Sequence, residues 1–150
     1  MKVVIQRVSK AAVDISGERV SEIGHGLLVL LGIVPDDTDA DVDWLVKKTS
    51  QMRIFDDEAG VMNKSVIDVG GEVLVVSQFT LAASTKKGNR PSYIGAAGHE
   101  IAIPLYEEFC KKISLFIGKP VAKGRFGADM QVSLINDGPV TIIVDSKNPV

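Results

Sequence analysis

The sequence predicts a mixed α/β fold: two packed sheets or a barrel-like β structure of about seven or eight strands, with two main helices on one side. Three observations carry this expectation. Short runs rich in Val, Ile and Leu recur along the chain, bounded by Gly, Pro, Asn and Asp, which is how strands read. Two longer stretches place apolar residues at helical spacing instead. Of the 150 residues, 45% are hydrophobic and 24% charged. That is enough apolar material for one domain spanning residues 1–150, and no apolar run is long enough for a membrane span.

Residues 2–15, KVVIQRVSKAAVDI, alternate and then turn, as an antiparallel pair does. Val3, Ile5 and Arg7 fall on one face, and Val4, Gln6 and Val8 on the other. Residues 27–34, LLVLLGIV, are apolar on both faces and read as a central strand. From Pro35, DDTDADVDWLVKKTSQM reads as a helix whose acids form a solvated N-terminal face and whose late Lys47, Lys48 and Arg53 suit the helix dipole. Val42, Leu45, Val46, Thr49 and Met52 form its buried stripe.

Residues 72–81, EVLVVSQFTL, read as a strand. Ser77 and Phe79 then continue the face of Val73 and Val75, while Gln78 and Thr80 continue that of Leu74 and Val76. The segment AASTKKGNRPSYIGAAGHE is polar, Gly-rich and long for a connection, as functional loops often are. IPLYEEFCKKISLFI reads as a second helix with Pro104 near its first position and Leu105, Phe109, Ile113 and Phe116 inward. Three strands close the chain, near residues 121–125, 130–136 and 140–145.

Charge and composition narrow the function classes. A formal net charge of −2 is not that of a protein coating long duplexes, although it permits one that grips the end of an RNA. The single cysteine, Cys110, makes no intrachain disulfide, and with no signal-peptide pattern at the N-terminus the expected compartment is the cytoplasm. No metal or cofactor is expected. Asp37, Asp39 and Asp41 superficially resemble a calcium loop, but Val42 and Lys48 stand where Gly and Glu are required. His25, His99 and Cys110 have no zinc spacing. His25 reads as a turn residue, and neither histidine has a recognisable triad context.

Three stretches resist a bland reading. SQFTL puts polar residues at the end of an apolar strand, as in a site at a strand terminus or a strand fraying into a loop. Arg7 shares a face with apolar residues, so it either snorkels to water or finds fixed acceptors such as backbone carbonyls. INDGPVTIIV sets turn chemistry and a proline between two strand-like runs. A hairpin turn is the simple explanation.

Taken together, SQFTL (residues 77–81) and NDGPVT (residues 136–141) resemble the two signature motifs of the D-aminoacyl-tRNA deacylases. The resemblance runs through the whole chain, including MKVVIQRVSKAAV, KKGNRPSY and GRFGADMQVSLINDGPVT. It implies a hydrolase that cleaves the ester between a D-amino acid, or glycine, and the 3′-terminal ribose of tRNA. The family's homodimers pass a cis Gly-Pro dipeptide, here Gly138 and Pro139, into the partner's active site to exclude L-substrates, with Arg7 as a clamp. The scissile ester is expected against Ser77, Gln78, Phe79 and Thr80. Backbone N–H groups near Phe79 and Thr80 are placed for an oxyanion, and the tRNA 2′-hydroxyl or water is favoured over Thr80 as nucleophile. Phe126 is the expected stacking surface for the terminal adenine. Lys86, Lys87 and Arg90, with Lys123 and Arg125, are the expected phosphate contacts. Two other classes compete: a non-enzymatic RNA-binding β-rich dimer and a generic small-ester hydrolase.

Overall fold

The first strand, β1 (Lys2–Ile15), organises the sheet. In the computed structural model, which describes residues 1–150, it turns through Ser16 and Gly17, both at positive φ, into antiparallel β2 (Glu18–Ile23). β3 (Gly26–Gly32) pairs antiparallel with the N-terminal half of β1, from Lys2 opposite Gly32 to Val8 opposite Gly26. The chain crosses through α1 (Asp39–Gln51) and a small hairpin of β4 (Phe55–Asp56) and β5 (Met62–Lys64) to β6 (Glu72–Ser77), parallel to β3. A 3₁₀ turn (Phe79–Ala82) and α2 (His99–Ile117) lead to β7 (Ala122–Lys123), parallel to β6. Finally β8 (Gln131–Asp145) runs antiparallel along the other edge of β1. The six-stranded mixed sheet curls nearly closed as a barrel, with the two-stranded β4–β5 sheet beside it, as the sequence predicts.

The sheet buries both faces. On one, Val3 and Ile5 of β1 and Leu27, Val29 and Leu31 of β3 pack against Val42, Leu45 and Val46 of α1 and Phe109 and Ile113 of α2. On the other, inside the curl, Val8, Ala11 and Val13 meet Ile23, Leu28, Leu74 and Val76. β3 is apolar on both faces because it serves both cores. No helix is long and apolar enough to cross a membrane.

The strict alternation expected for β1 breaks at one point. Val8 lies opposite Asn136 but Lys10 lies opposite Ile135, so β1 carries an extra residue there. Such a bulge flips the parity of every later side chain, which is why odd-numbered Ala11 and Val13 join Val8 inside the curl.

A larger irregularity lies across from Arg7. Gln6 pairs with Thr141 and Val8 with Asn136, so Asp137, Gly138, Pro139 and Val140 face Arg7 alone. The two runs flanking NDGP are therefore not two strands joined by a hairpin; both pair with β1, and Asp137, Gly138, Pro139 and Val140 form a bulge inside one strand. Pro139 lies where no ladder bond needs its missing N–H, and the Gly138–Pro139 bond is cis. Asn136 closes the bulge's base, its side chain accepting from Val140 N–H at 2.7 Å and donating to Thr141 Oγ1 at 2.9 Å.

Five other expectations are corrected. α1 starts at Asp39, after Thr38, whose N–H donates to the Asp41 carboxylate at 2.8 Å. Asp37 is not solvated; its buried carboxylate pairs with the Met1 ammonium and accepts from Val34 N–H. α2 starts at His99, five residues before Pro104, which therefore sits inside a helix already begun. Tyr106 and Cys110 accompany Phe109 and Ile113 inward, while Phe116 is exposed. The strand predicted for residues 72–81 ends at Ser77, where the chain turns into the 3₁₀ segment.

Candidate active site

Parallel strands β3 and β6 end side by side, Leu31 opposite Ser77. Crevices at the carboxyl ends of parallel strands are where α/β sheets place ligands. Here a cavity of about 600 Å³ opens at that point. Leu31 and Ile33 line its floor; Ser77, Gln78 and Phe79 form one wall, Ala97, Gly98, His99 and Ala102 a second, and residues 126–130 a third. Ala97 N–H donates to the Ile33 carbonyl at 3.0 Å, tying the second wall to the floor.

The wall at Ser77 is shaped by the chain leaving the sheet. Gln78 N–H still extends the ladder, donating to the Leu31 carbonyl at 2.8 Å, and then the backbone turns. Leu81 N–H returns to the Gln78 carbonyl at 3.2 Å and Ala83 N–H to that of Thr80 at 3.1 Å. The N–H groups of Phe79 and Thr80 open the turn, where a helical segment offers no internal acceptor. Gln78 Nε2 donates to Thr80 Oγ1 at 2.6 Å. Thr80 thus lies next to the cavity wall, its hydroxyl held by an amide that cannot take its proton.

Phe126 is held from two sides. Its ring is edge-on to His99 at 5.4 Å and to Tyr106 at 5.6 Å between centroids, an aromatic geometry with a preferred orientation. Tyr106 is itself buried, its hydroxyl donating to the Val75 carbonyl at 3.4 Å. Neighbouring Cys110 is no nucleophile, because burial pushes its thiol up to about 12. Phe126 also lines the cavity, on a loop closed by Ala128 N–H donating to the Arg125 carbonyl at 3.1 Å and by Gly127 at positive φ.

At the rim, exposed Phe79 meets Tyr93 edge-on at 5.2 Å. Beyond it, Ser84 and Ser92 bridge the base of a loop carrying Lys86, Lys87 and Arg90, all exposed and none paired with a carboxylate. Lys123, by contrast, is engaged by Glu107 at 3.1 Å.

Arg7, Gly138 and Pro139 form a separate group. Arg7 is 9% exposed, and its Nε and Nη1 donate to the carbonyls of Asp137 and Ile54, with the carboxylates of Asp56 and Asp137 within 4.0 Å. Arg7 pairs with Leu27, four residues along β3 from the Leu31 that pairs with Ser77, or about 13 Å at strand rise. One chain therefore brings Ser77, Gln78, Phe79 and Phe126 together around the cavity and leaves Arg7, Gly138 and Pro139 elsewhere.

Sequence reasoning missed several cavity residues. His99, Tyr93, Asp129 and Met130 line it, yet they are separated by the long loop and by α2. Tyr93 and His99 were signalled only by the unusual length and Gly content of the loop that leads into α2, and Asp129 and Met130 only by lying in the stretch GRFGADMQ. No three His, Cys, Asp or Glu side chains converge to hold a metal ion.

Comparison with known proteins gives a consistent result. The sequence model of the family described as D-Tyr-tRNA(Tyr) deacylase matches residues 4–145. A protein of Parabacteroides distasonis named D-aminoacyl-tRNA deacylase is 62% identical over 148 residues, 99% of each chain. One of the same name from Chromobacterium violaceum is 60% identical over 149 residues. Among solved structures, a c-Myc DNA Unwinding Element Binding Protein superposes with a TM-score of 0.91 at 43% identity, covering 97% of this chain and 99% of that one. A probable eukaryotic D-amino acid tRNA deacylase superposes with a TM-score of 0.81 at 18% identity, covering 95% and 97%, which shows the shared fold.

Proposed function

The chain belongs to the D-Tyr-tRNA(Tyr) deacylase family, and from that membership we propose that it hydrolyses the ester of D-aminoacyl-tRNA to free amino acid and tRNA. The observation that carries this reading is the cavity at the ends of β3 and β6, which joins Ser77, Gln78 and Phe79 to the ring of Phe126. Its volume suits a nucleoside with a small ester.

The terminal adenine stacks on Phe126, whose ring is already oriented by His99 and Tyr106. The ester lies along Ser77, Gln78, Phe79 and Thr80. As the carbonyl becomes tetrahedral, the N–H groups of Phe79 and Thr80 take up the negative charge on its oxygen. Attack comes from water or is assisted by the vicinal 2′-hydroxyl of the tRNA. The Gln78 amide on Thr80 Oγ1 favours this over attack by Thr80, which has no base to activate it. Lys86, Lys87 and Arg90 meet the phosphates leading to the 3′ end.

Chiral selection falls to Gly138 and Pro139 acting across a homodimer, as an insert into the partner's cavity. Both are exposed, on the bulge facing Arg7, and β8 also leaves Ile135 and Ile143 50% and 63% exposed. A backbone wall held by Arg7 rejects an L side chain by collision and admits a D side chain or the hydrogen of glycine. The working compartment is the cytoplasm, where charged tRNA is used.

Deacylation time courses on matched D-, L- and glycyl-tRNA test the proposal. D-aminoacyl- and glycyl-tRNA should be hydrolysed and L-aminoacyl-tRNA spared. Equal hydrolysis of D and L forms would sink the selector, and no hydrolysis of any would leave an RNA-binding protein.

A further inference from the structure

We propose that Gly32 is a positioning residue for ester hydrolysis: the space left by its absent side chain sets where the Phe79 and Thr80 N–H groups stand. The inference rests on the deacylase reading and names a residue that touches neither substrate nor nucleophile.

Gly32 is the last residue of β3. Leu31 and Ile33 on either side of it line the cavity floor, so alternation directs position 32 to the opposite face. On that face the Gln78–Leu81 turn lies directly against it. A Cβ built on Gly32 would stand 2.8 Å from Leu81 Cβ, 3.1 Å from the Gln78 carbonyl oxygen and 3.4 Å from Leu81 Cδ1. The first two are inside ordinary contact distance. One is a backbone atom and the other is fixed directly to backbone, so neither can swing aside as the end of a long side chain would.

Gly32 is not among the glycines at positive φ, so its backbone geometry does not demand glycine. What demands it is the close approach of the turn. Phe79 and Thr80 lie between Gln78 and Leu81, the two residues a methyl group would push. Gln78 N–H is pinned to the Leu31 carbonyl at 2.8 Å, so the displacement must be absorbed beyond it, at the two N–H groups. Stabilisation of a developing oxyanion depends on donors held within about 0.5 Å of their working position.

The test is Gly32→Ala, assayed on D-aminoacyl-tRNA for kcat and KM separately, with Leu81→Gly and the double variant Gly32→Ala/Leu81→Gly alongside. Binding through Phe126 is untouched, so KM should stay within about twofold while kcat falls about 10- to 100-fold, somewhat less than for deleting an oxyanion donor. Leu81→Gly removes the 2.8 Å contact, so the double variant should recover much of the loss relative to Gly32→Ala. An unchanged kcat, a loss confined to KM, or a double variant no better than the single one would each overturn the proposal. Folding of the double variant but not of Gly32→Ala supports it, and failure of both assigns Gly32 to stability alone. Backbone amide resonances give a readout independent of activity. Those of Phe79 and Thr80 should move in Gly32→Ala, and their staying put overturns the proposal. An inactive wild-type protein would instead remove the deacylase reading.

Discussion

Arg7 Nε donates to the Asp137 carbonyl at 2.8 Å, across the point where four residues of β8 face one of β1. The other arm of the same guanidinium donates to the Ile54 carbonyl at 2.7 Å. One side chain thus ties the bulge carrying Gly138 and Pro139 to the β4–β5 hairpin.

Removing Arg7 leaves two backbone carbonyls without a donor. Arg7→Ala should cost about 2–4 kcal/mol in urea unfolding and narrow the ratio of D- to L-aminoacyl-tRNA hydrolysis. Arg7→Lys should restore little of either, because a single ammonium cannot reproduce a planar fork reaching two carbonyls. A Lys variant with wild-type discrimination would show that charge alone is required.

At Gly138 the backbone itself asks for glycine. Its φ is +144, and a Cβ there would stand 2.8 Å from Val140 Cγ2 and 3.1 Å from Arg7 Nη2. Gly138→Ala should lower deacylation of D-aminoacyl-tRNA at least about tenfold and destabilise the fold by about 1–3 kcal/mol. Activity assays and denaturation curves on the same preparation check both, and wild-type values in both would remove Gly138 from the selector.

For Thr80, both Thr80→Ala and the shape-matched Thr80→Val should keep deacylation within about tenfold of wild type, whereas a lost nucleophile costs about 10⁴-fold or more. Replacing the 2′-hydroxyl of the terminal adenosine by hydrogen should instead cripple the reaction. The reverse pattern would make Thr80 the attacking group.

Asp41 links stability to pH. Partial burial pushes its carboxyl up, but hydrogen bonds from the Ser146 hydroxyl, the Thr38 N–H and Lys147 outweigh that and bring it down to about 2 from 3.8. A depressed carboxylate contributes fully above its unfolded value and loses that contribution as pH falls through its folded one. The stability gap between wild type and Asp41→Asn should therefore be constant from neutral pH to about pH 5 and shrink towards pH 2. Urea midpoints at pH 7, 5 and 2.5 measure it, and a gap unchanged at the lowest pH would show that the carboxylate is not the source.

The elements with simple periodicity were legible before the structure. β3 reads as central because both its faces are apolar, and the stripe of Val42, Leu45, Val46 and Thr49 names the inner face of α1. What stayed hidden were places where one residue changes the count. The extra residue after Val8 swaps the faces of Ala11 and Val13, and alternation cannot report its own interruption. SQFT continues a strand pattern on paper, whereas the structure turns after Ser77 into a 3₁₀ segment whose Leu81 lies against Gly32. Pro104 marks a helix start only if nothing helical precedes it, and His99 to Ile103 do. Ser77, Gln78, Phe79 and Phe126 were named from motifs and do share a cavity. His99 and Tyr93 were not, since only the path of the loop brings them there.

The pairing of β1 with β8 also bears on how the chain comes to be folded. Lys2 pairs with Asp145 and Val3 with Val144, so β1 finds its outer neighbour in a strand that lies far along the chain, beyond every other element of the sheet. Contacts this remote in sequence close late and fold slowly, because the loop entropy is lost before the pairing rewards it. Until β8 docks, one whole edge of β1 stands open, with the apolar interior of the curl behind it. A chain in which β8 has not yet docked is therefore open to strand-to-strand aggregation along that edge.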